Sequence, residues 1–298
     1  MTILSIQSHV SYGHVGNSAG VFILQRLGLD VWPVHTVLFS NHPGYETFRG
    51  SRVAPDLITD VISGIEERGV LSGCRAVIGG YLGSVATGVC MIEAVQRVKL
   101  ANPESIFFCD PVMGDREKGL YVSEDVVQFY REQGAPAADV LKPNAFELEV
   151  LSGHKIHDPG SASAAAMDLV KRWDLQAVLV SSVPVPASTI PGPLSAAAPT
   201  VSIASIVVTP EQVWSVETPL LPVDQKGAGD AFMALFVANL LATGKSYPEA
   251  LSASASAIWS IMEETARAGV QELQLIKCQS QMSRPSSVYG ARPLVEYE

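Results

Sequence analysis

The chain reads as an α/β fold with a mainly parallel central sheet and helices on both faces, and three observations predict it. Short β-rich runs alternate with helical patterns along most of the sequence, the pattern that builds βαβ units. Polar, glycine-bearing loops follow the strands, at the carboxyl edge where such sheets bind ligands. With 298 residues, 47% of them apolar and 17% charged, the chain can bury a large core, and a single domain over residues 1–298 is expected.

In order, Thr2–Ile6, Val31–Val37, Ala76–Gly79, Ser105–Cys109, Val140–Leu141 and Ala177–Ser181 read as strands. Asn17–Leu27, Asp56–Arg68, Val85–Leu100, Glu124–Glu132, Ala145–Leu151 and Ala162–Trp173 read as the intervening helices. Val201–Val208 and Val213–Val216 have no helix between them and predict a hairpin, followed by a helix opening at Asp230 and another over Pro248–Arg267. The span Pro184–Pro199 holds five of the 19 prolines, with Gly, Ser and Ala, and is expected to be a mobile loop.

Composition excludes several function classes. A formal charge of −10 without any Lys/Arg run argues against general nucleic-acid binding. Cys74, Cys90, Cys109 and Cys278 are scattered, with no zinc spacing, and read as reduced thiols, so a metal must be carboxylate-bound. The longest nearly apolar run, Ala231–Ala242, is too short to span a bilayer, and a soluble, cytoplasmic protein without membrane partners is expected.

Chemistry gathers in the loops after the strands. Gln7–Asn17 supplies hydroxyl, imidazole and backbone donors with Ser8 at the ligand edge; its Gly13-x-x-Gly16 spacing is neither a Rossmann fingerprint nor a Walker A loop, and capping alone explains Ser8 equally well. His42, Pro43, Gly44 and Tyr45 form a turn that suits a flat heteroaromatic ligand or is a plain surface turn. Gly79–Ser84 brings Tyr81 to the same edge. Cys109–Tyr121 places Asp110 and Asp115 five positions apart around Pro and Gly, suited to hold Mg2+ directly or through water, with Arg116 and Lys118 near phosphate oxygens. In Lys142-Pro143-Asn144-Ala145-Phe146-Glu147, Asn144 and Glu147 have capping-box spacing, yet Asp110, Asp115 and Glu147 are expected to converge at neighbouring strand ends as a hydrated magnesium site.

The stretch Val223-Asp224-Gln225-Lys226-Gly227-Ala228-Gly229-Asp230 runs straight into an apolar helix. Free N–H groups of a first helical turn, with the helix dipole behind them, bind phosphate, and a carboxylate at their mouth fits a base for a substrate hydroxyl. Simple N-capping by Asp230 is the structural alternative.

Taken together, the ordered stretches Gln-Ser-His-Val, Phe-Ser-Asn-His, Gly-Tyr, Asp-Pro-Val-Met-Gly-Asp and Pro-Asn-x-x-Glu, with Gly-x-Gly-Asp, resemble the pyridoxal kinases of the ribokinase-like superfamily over nearly the whole chain. The resemblance implies a three-layer ribokinase-like sandwich and ATP-dependent phosphorylation of the 5′-hydroxymethyl group of pyridoxal and related B6 vitamers. It implies that Asp230 is the catalytic base and that Gly227, Ala228 and Gly229 form the anion hole. It places Ser8, Tyr81 and His42 to Gly44 at the vitamer and Tyr121 on a lid. Asp110, Asp115, Lys142, Asn144, Glu147, Ser181, Val223 and Lys226 fall at the nucleotide, with Mg2+ on Asp110, Asp115 and Glu147. A monovalent cation such as K+ and a homodimer are also implied. Pro43, Lys142, Lys226 and Ala228 depart from the usual family pattern; the two lysines add cations beside the nucleotide, and Pro43 bears on vitamer preference. The alternatives are a hydroxymethylpyrimidine kinase of the same fold and a non-catalytic vitamer-binding protein.

Overall fold

In chain order the elements are β1 (Thr2–Val10), α1 (Asn17–Arg26), β2 (Asp30–Phe39), β3 (Gly50–Arg52), α2 (Pro55–Glu66), β4 (Cys74–Gly79), α3 (Val85–Ala101), β5 (Ile106–Cys109), β6 (Gly114–Asp115), β7 (Gly119–Leu120), α4 (Glu124–Phe129), β8 (Val140–Leu141), α5 (Ala145–Ser152), α6 (Pro159–Trp173), β9 (Ala177–Pro184), β10 (Ser202–Val208), β11 (Val213–Pro219), α7 (Ala228–Leu241), α8 (Tyr247–Ala268) and β12 (Arg292–Pro293). These come from a computed structural model that describes residues 1–186, 201–222 and 225–294.

Among the described residues one sheet of ten strands has the order β12-β11-β10-β9-β8-β5-β4-β1-β2-β3. Its centre, β9 through β2, is parallel, as the strand–helix alternation predicts. Strands β3, β10, β11 and β12 pair antiparallel at the two flanks. The inner strands are apolar on both faces because helices cover both: Ile3, Leu4, Ile6, Ile78, Phe107, Phe108 and Val178 to Val180 are fully buried. One core layer takes residues from α2 to α6, such as Ile58, Met91, Val126, Leu148 and Leu169. The other takes α1, α7 and α8, with Ile23, Phe236 and Leu251. Each such side chain contributes about 1.5–3 kcal/mol by leaving water.

Helix α7 is buried over Ala231–Asn239 without a polar face, so packing on all sides sets the position of its first turn. That turn carries Gly227 to Asp230, and it faces the carboxyl ends of β5, β8 and β9 across a cavity.

Several boundaries differ from the sequence reading. Strand β1 continues to Val10, so Ser8 lies in the strand and not in the loop after it; the register with β2 shifts between Gln7 and His9, where Ser8 alone stands opposite Thr36 and Val37, so the extra residue is on β2. Helix α4 ends at Phe129 and widens into a π turn over Tyr130–Gly134, because Tyr130 is buried and its hydroxyl donates to the Gly80 carbonyl at 2.9 Å. The short β3, β6, β7 and β12 carry too little apolar periodicity to be read from sequence. Strand β9 runs on to Pro184 instead of stopping at Ser181. Most of the expected mobile loop, residues 187–199, lies outside the described residues, as does Val223.

Candidate active site

Gly227 is the N-cap of α7 with φ 85°, and a Cβ there would stand 1.8 Å from the His14 carbonyl oxygen. Only glycine permits that contact at that dihedral. No side chain caps the helix; the Ala228 N–H donates to the Gln225 carbonyl at 3.4 Å, and Gly227 to Asp230 line the cavity. Asp230 therefore does not act as the cap: it sits inside the first turn, and its Oδ2 accepts the Gly16 N–H at 2.8 Å. Gly16 is itself forced by Ser8, since a Cβ at Gly16 would meet Ser8 Oγ at 2.3 Å.

Burial pushes the Asp230 carboxyl up to about 6, and the Asp110 charge adds to the rise; the Gly16 N–H and Lys142 pull it down. A carboxylate held there by one backbone donor is a competent base near neutral pH.

Opposite lies a second set of charges. Lys142 is only 2% exposed and its Nζ stands 2.8 Å from Asp110 Oδ2. The same ammonium faces the anion turn, 3.6 Å from where a Cβ on Gly229 would be. Desolvation opposes the lysine's charge, but the Asp110, Glu147 and Asp230 carboxylates raise its pKa on balance, so it is a fixed cation. Glu147 completes a capping box at the start of α5: its backbone N–H donates to Asn144 Oδ1, and its Oε2 accepts the Asn144 N–H at 2.9 Å. Its Oε1 accepts the N–H groups of Met113 and Gly114. Burial, then Asp110, pushes the Glu147 carboxyl up to about 8, while Lys142 and the backbone donors oppose the rise.

The cavity these groups line measures about 470 Å3. Besides them its wall holds Asp115, Tyr121, Asn144, Ser181 and Lys226, and an apolar part from Ile203, Leu220, Ile258, Trp259 and Met262. A neighbouring cavity of about 270 Å3 shares Asp115, Asn144, Ser182, Ile203 and Leu220 with it. A charged floor beside an apolar wall suits a phosphorylated, ring-bearing ligand.

The family model described as phosphomethylpyrimidine kinase matches residues 65–275. The pyridoxal kinase PdxY of Rubrobacter xylanophilus is 46% identical to this chain, over 98% of it and 97% of the relative. That of Deinococcus radiodurans is 44% identical, over 97% of this chain and 95% of the relative. The chain belongs to the pyridoxal kinase family. A pyridoxal kinase from Leishmania donovani, solved in complex with ADP and pyridoxamine, matches the fold with a TM-score of 0.83 at 31% identity, covering 99% of both chains.

Within this pyridoxal kinase fold the expected site residues fall into two groups. Asp110, Asp115, Tyr121, Lys142, Asn144, Glu147, Ser181, Lys226 and Gly227 to Asp230 share the larger cavity. Ser8, His42, Pro43, Gly44 and Tyr81 do not line it; they lie on the β1–β2 side, where Ser8 abuts Gly16 and the Tyr81 carbonyl accepts the Thr36 hydroxyl at 2.6 Å. The three expected metal carboxylates line the cavity without forming a ready-made ligand cluster: no group of three His, Cys, Asp or Glu among the described residues is arranged around an ion. Asp110 is paired with Lys142, both Glu147 oxygens take backbone donors, and Asp115 Oδ1 accepts from the N–H groups of Glu117 and Lys118. Lys142, the extra cation of the sequence, is the buried partner of Asp110. Lys226 Nζ stands 3.7 Å from Asp115 Oδ2 across the cavity mouth.

Sequence reasoning missed Gly16, whose amide orients Asp230, and Glu272, whose carboxylate lies over Gly13. It also missed Ser182, a non-glycine residue at φ 58° that lines both cavities. Only the positive-φ glycines carried a sequence signal, as glycines.

Proposed function

We propose that this member of the family transfers the γ-phosphoryl group of ATP to the 5′-hydroxymethyl group of pyridoxal, and of pyridoxine and pyridoxamine as related vitamers. The observation that carries the reading is Asp230: half-buried, oriented by the Gly16 amide, freed from capping duty, and in the first turn of α7, whose N-terminus suits the phosphate that the acceptor hydroxyl would attack. The complex of the Leishmania relative with ADP and pyridoxamine supports the same pair of ligands.

In this mechanism Asp230 accepts the proton of the acceptor hydroxyl as the hydroxyl oxygen attacks the γ-phosphorus, and the bond from that phosphorus to the β–γ bridging oxygen breaks, so that ADP leaves with the electron pair. Gly227, Ala228 and Gly229 stabilise the charge spread over the equatorial oxygens, with the Lys142 ammonium close by. Asn144, Ser181 and Lys226 hold the nucleotide, and Ile203, Leu220 and Trp259 cover its base. The oxygen-only donor set of the cavity fits Mg2+, which keeps several waters and needs one or two carboxylates beside phosphate oxygens. Asp110 and Asp115 would hold it, directly or through water, while Glu147 orients the Met113–Gly114 backbone next to it. Bound with the nucleotide, Mg2+ neutralises phosphate charge. Ser8, His42, Pro43, Gly44 and Tyr81 form the vitamer side, and Tyr121, 49% exposed on the β7 side, covers the acceptor as a lid. A K+ requirement, a homodimer and a cytoplasmic location complete the reading; no helix among the described residues is long and apolar enough to cross a membrane.

Because the matching family model is that of phosphomethylpyrimidine kinases, hydroxymethylpyrimidine is the rival acceptor. A coupled ATP-consumption assay with pyridoxal, pyridoxine, pyridoxamine and hydroxymethylpyrimidine separates the two. Turnover of hydroxymethylpyrimidine alone, or vitamer binding with no ATP consumed, rejects the reading.

A further inference from the structure

Glu272 lies in the segment that follows α8, between a left-handed Gly269 and the fully buried Leu273 and Leu275. Those two anchors hold its backbone in the core layer around α7 and α8. Its carboxylate, with only 12% of the side chain exposed, reaches away from them and meets two loops. One oxygen, Oε2, accepts the His14 N–H at 3.0 Å. The other, Oε1, accepts the Tyr45 hydroxyl at 2.6 Å and lies 3.5 Å from His42 Nε2. The Gly44 N–H donates to His42 Nδ1 at 3.1 Å, so the ring's proton sits on Nε2, directed at Glu272. A Cβ at Gly13 would collide with the carboxylate at 2.3 Å, so the chain keeps glycine where Glu272 lands.

Both loops lead to the reacting groups. His14 and Gly16 are two residues apart: the first is held by Glu272, and the second gives its amide to Asp230. The His14 carbonyl also packs on Gly227, the start of the anion turn. On the other side, Tyr45 and His42 stand with ring centroids 4.6 Å apart, and Tyr12 meets Tyr45 edge-on at 6.0 Å, forming an aromatic wall around residues 42–45. The same segment carries a third tie, from Gln225 Nε2 to the Val270 carbonyl at 3.2 Å, just ahead of the anion turn.

We propose that Glu272 is a positioning residue for phosphoryl transfer: one carboxylate locks the acceptor-side aromatic loop and the β1–α1 turn into a single frame, so that the vitamer pocket and the amide that orients Asp230 move together or not at all. It touches neither reacting atom; it acts through His14, Gly16, His42 and Tyr45. The inference rests on the proposed roles of Asp230 and of the loop at residues 42–44.

The test compares Glu272→Ala, Glu272→Gln and Tyr45→Phe with the wild type in the full-length protein. Measured quantities are kcat, the pyridoxal KM, and dissociation constants for pyridoxal and for a non-hydrolysable ATP analogue. Removing a charged acceptor from two half-buried donors predicts a rise of about tenfold in the pyridoxal KM for Glu272→Ala, with a loss of about tenfold or more in kcat as Asp230 loses its orientation. Affinity for the ATP analogue stays within about twofold of wild type, since the nucleotide lies on the far side of the anion turn. Gln can still accept from His14 and donate to the Tyr45 oxygen, so Glu272→Gln restores most of both parameters. Tyr45→Phe cuts only the acceptor-side tie and raises the pyridoxal KM with kcat nearly unchanged. Pyridoxal KM and kcat unaltered in Glu272→Ala overturn the proposal. So does a parallel loss of ATP-analogue affinity, which marks general loosening, or a Glu272→Gln defect equal to that of Ala, which assigns the effect to charge. If Glu272→Ala does not fold, an unchanged pyridoxal KM in Tyr45→Phe decides against it. A wild type that binds pyridoxal but transfers no phosphoryl group rejects the proposed function, and the pyridoxal dissociation constants of the three variants then decide the role of Glu272.

Discussion

Replacing Gly227 with alanine perturbs the anion turn through the least compliant contact in the site. The new methyl carbon would lie 1.8 Å from the His14 carbonyl oxygen, and the atom it meets is backbone, not the end of a flexible side chain. Restoring an ordinary contact of roughly 3.4 Å requires one of the two segments to move by about 1.6 Å. Holding alanine at φ 85° adds about 1–2 kcal/mol of strain. The segment most exposed to the push is His14–Gly16, and the Gly16 amide orients Asp230 at 2.8 Å. A displacement of that size costs about 10²-fold in rate even away from the chemistry. We therefore expect Gly227→Ala to lower kcat by about two orders of magnitude and to reduce the melting temperature. Gly229→Ala is the control. Its methyl would make only an ordinary 3.6 Å contact with Lys142 Nζ, and alanine in a helix is favoured over glycine by about 1 kcal/mol. That variant should melt at or above the wild-type temperature, yet lose kcat because the methyl occupies space assigned to the phosphoryl group. The assays are thermal unfolding and steady-state turnover of pyridoxal at saturating ATP. Wild-type kcat in Gly227→Ala with an unchanged melting temperature would refute the steric argument, and full activity in Gly229→Ala would remove the phosphate from that turn.

Asp230→Asn should lower kcat by about 10²- to 10⁴-fold, with ATP affinity measured by calorimetry nearly unchanged; retained turnover removes Asp230 as the base. The base works deprotonated, so the acid limb of kcat/KM should fall near pH 6, where the Asp230 carboxyl titrates. Lys142 pulls that carboxyl down, so Lys142→Met should move the limb to higher pH, and a limb shifted to lower pH would contradict the assigned field. The same variant leaves Asp110 buried without its partner and should lose about 3–5 kcal/mol in chemical denaturation. Lys226→Ala should weaken ATP binding and flatten the dependence of the ATP KM on salt; identical salt curves for variant and wild type would remove Lys226 from the nucleotide.

Much of the site was legible because its signals are local. Asn144 and Glu147 form the capping box that their three-residue spacing announces. Asp110 follows an apolar strand, and Gly227 breaks into a helix, as each stretch suggested. What those residues do with their side chains was not legible. The spacing of Asp110, Asp115 and Glu147 suggested a shared metal; that backbone amides and Lys142 also engage each of the three carboxylates was not legible, because only the folded backbone brings those donors in. The extra reach of β1 was hidden because Gln7, Ser8 and His9 are polar, whereas strand pairing follows neighbouring backbone and not side-chain polarity.

By itself the sequence determined the α/β alternation, the parallel centre of the sheet, the hairpin before α7 and the strand-end loops, because periodicity, capping and glycine placement act within a few residues. Tertiary structure alone decided that Gly16 orients Asp230 across 214 positions and that Glu272 holds His14 across 258. It also decided that Lys142 is a buried counter-ion. Each of these contacts depends on which strands lie side by side and on how α7 and α8 pack over them, and no local pattern in the chain encodes that order.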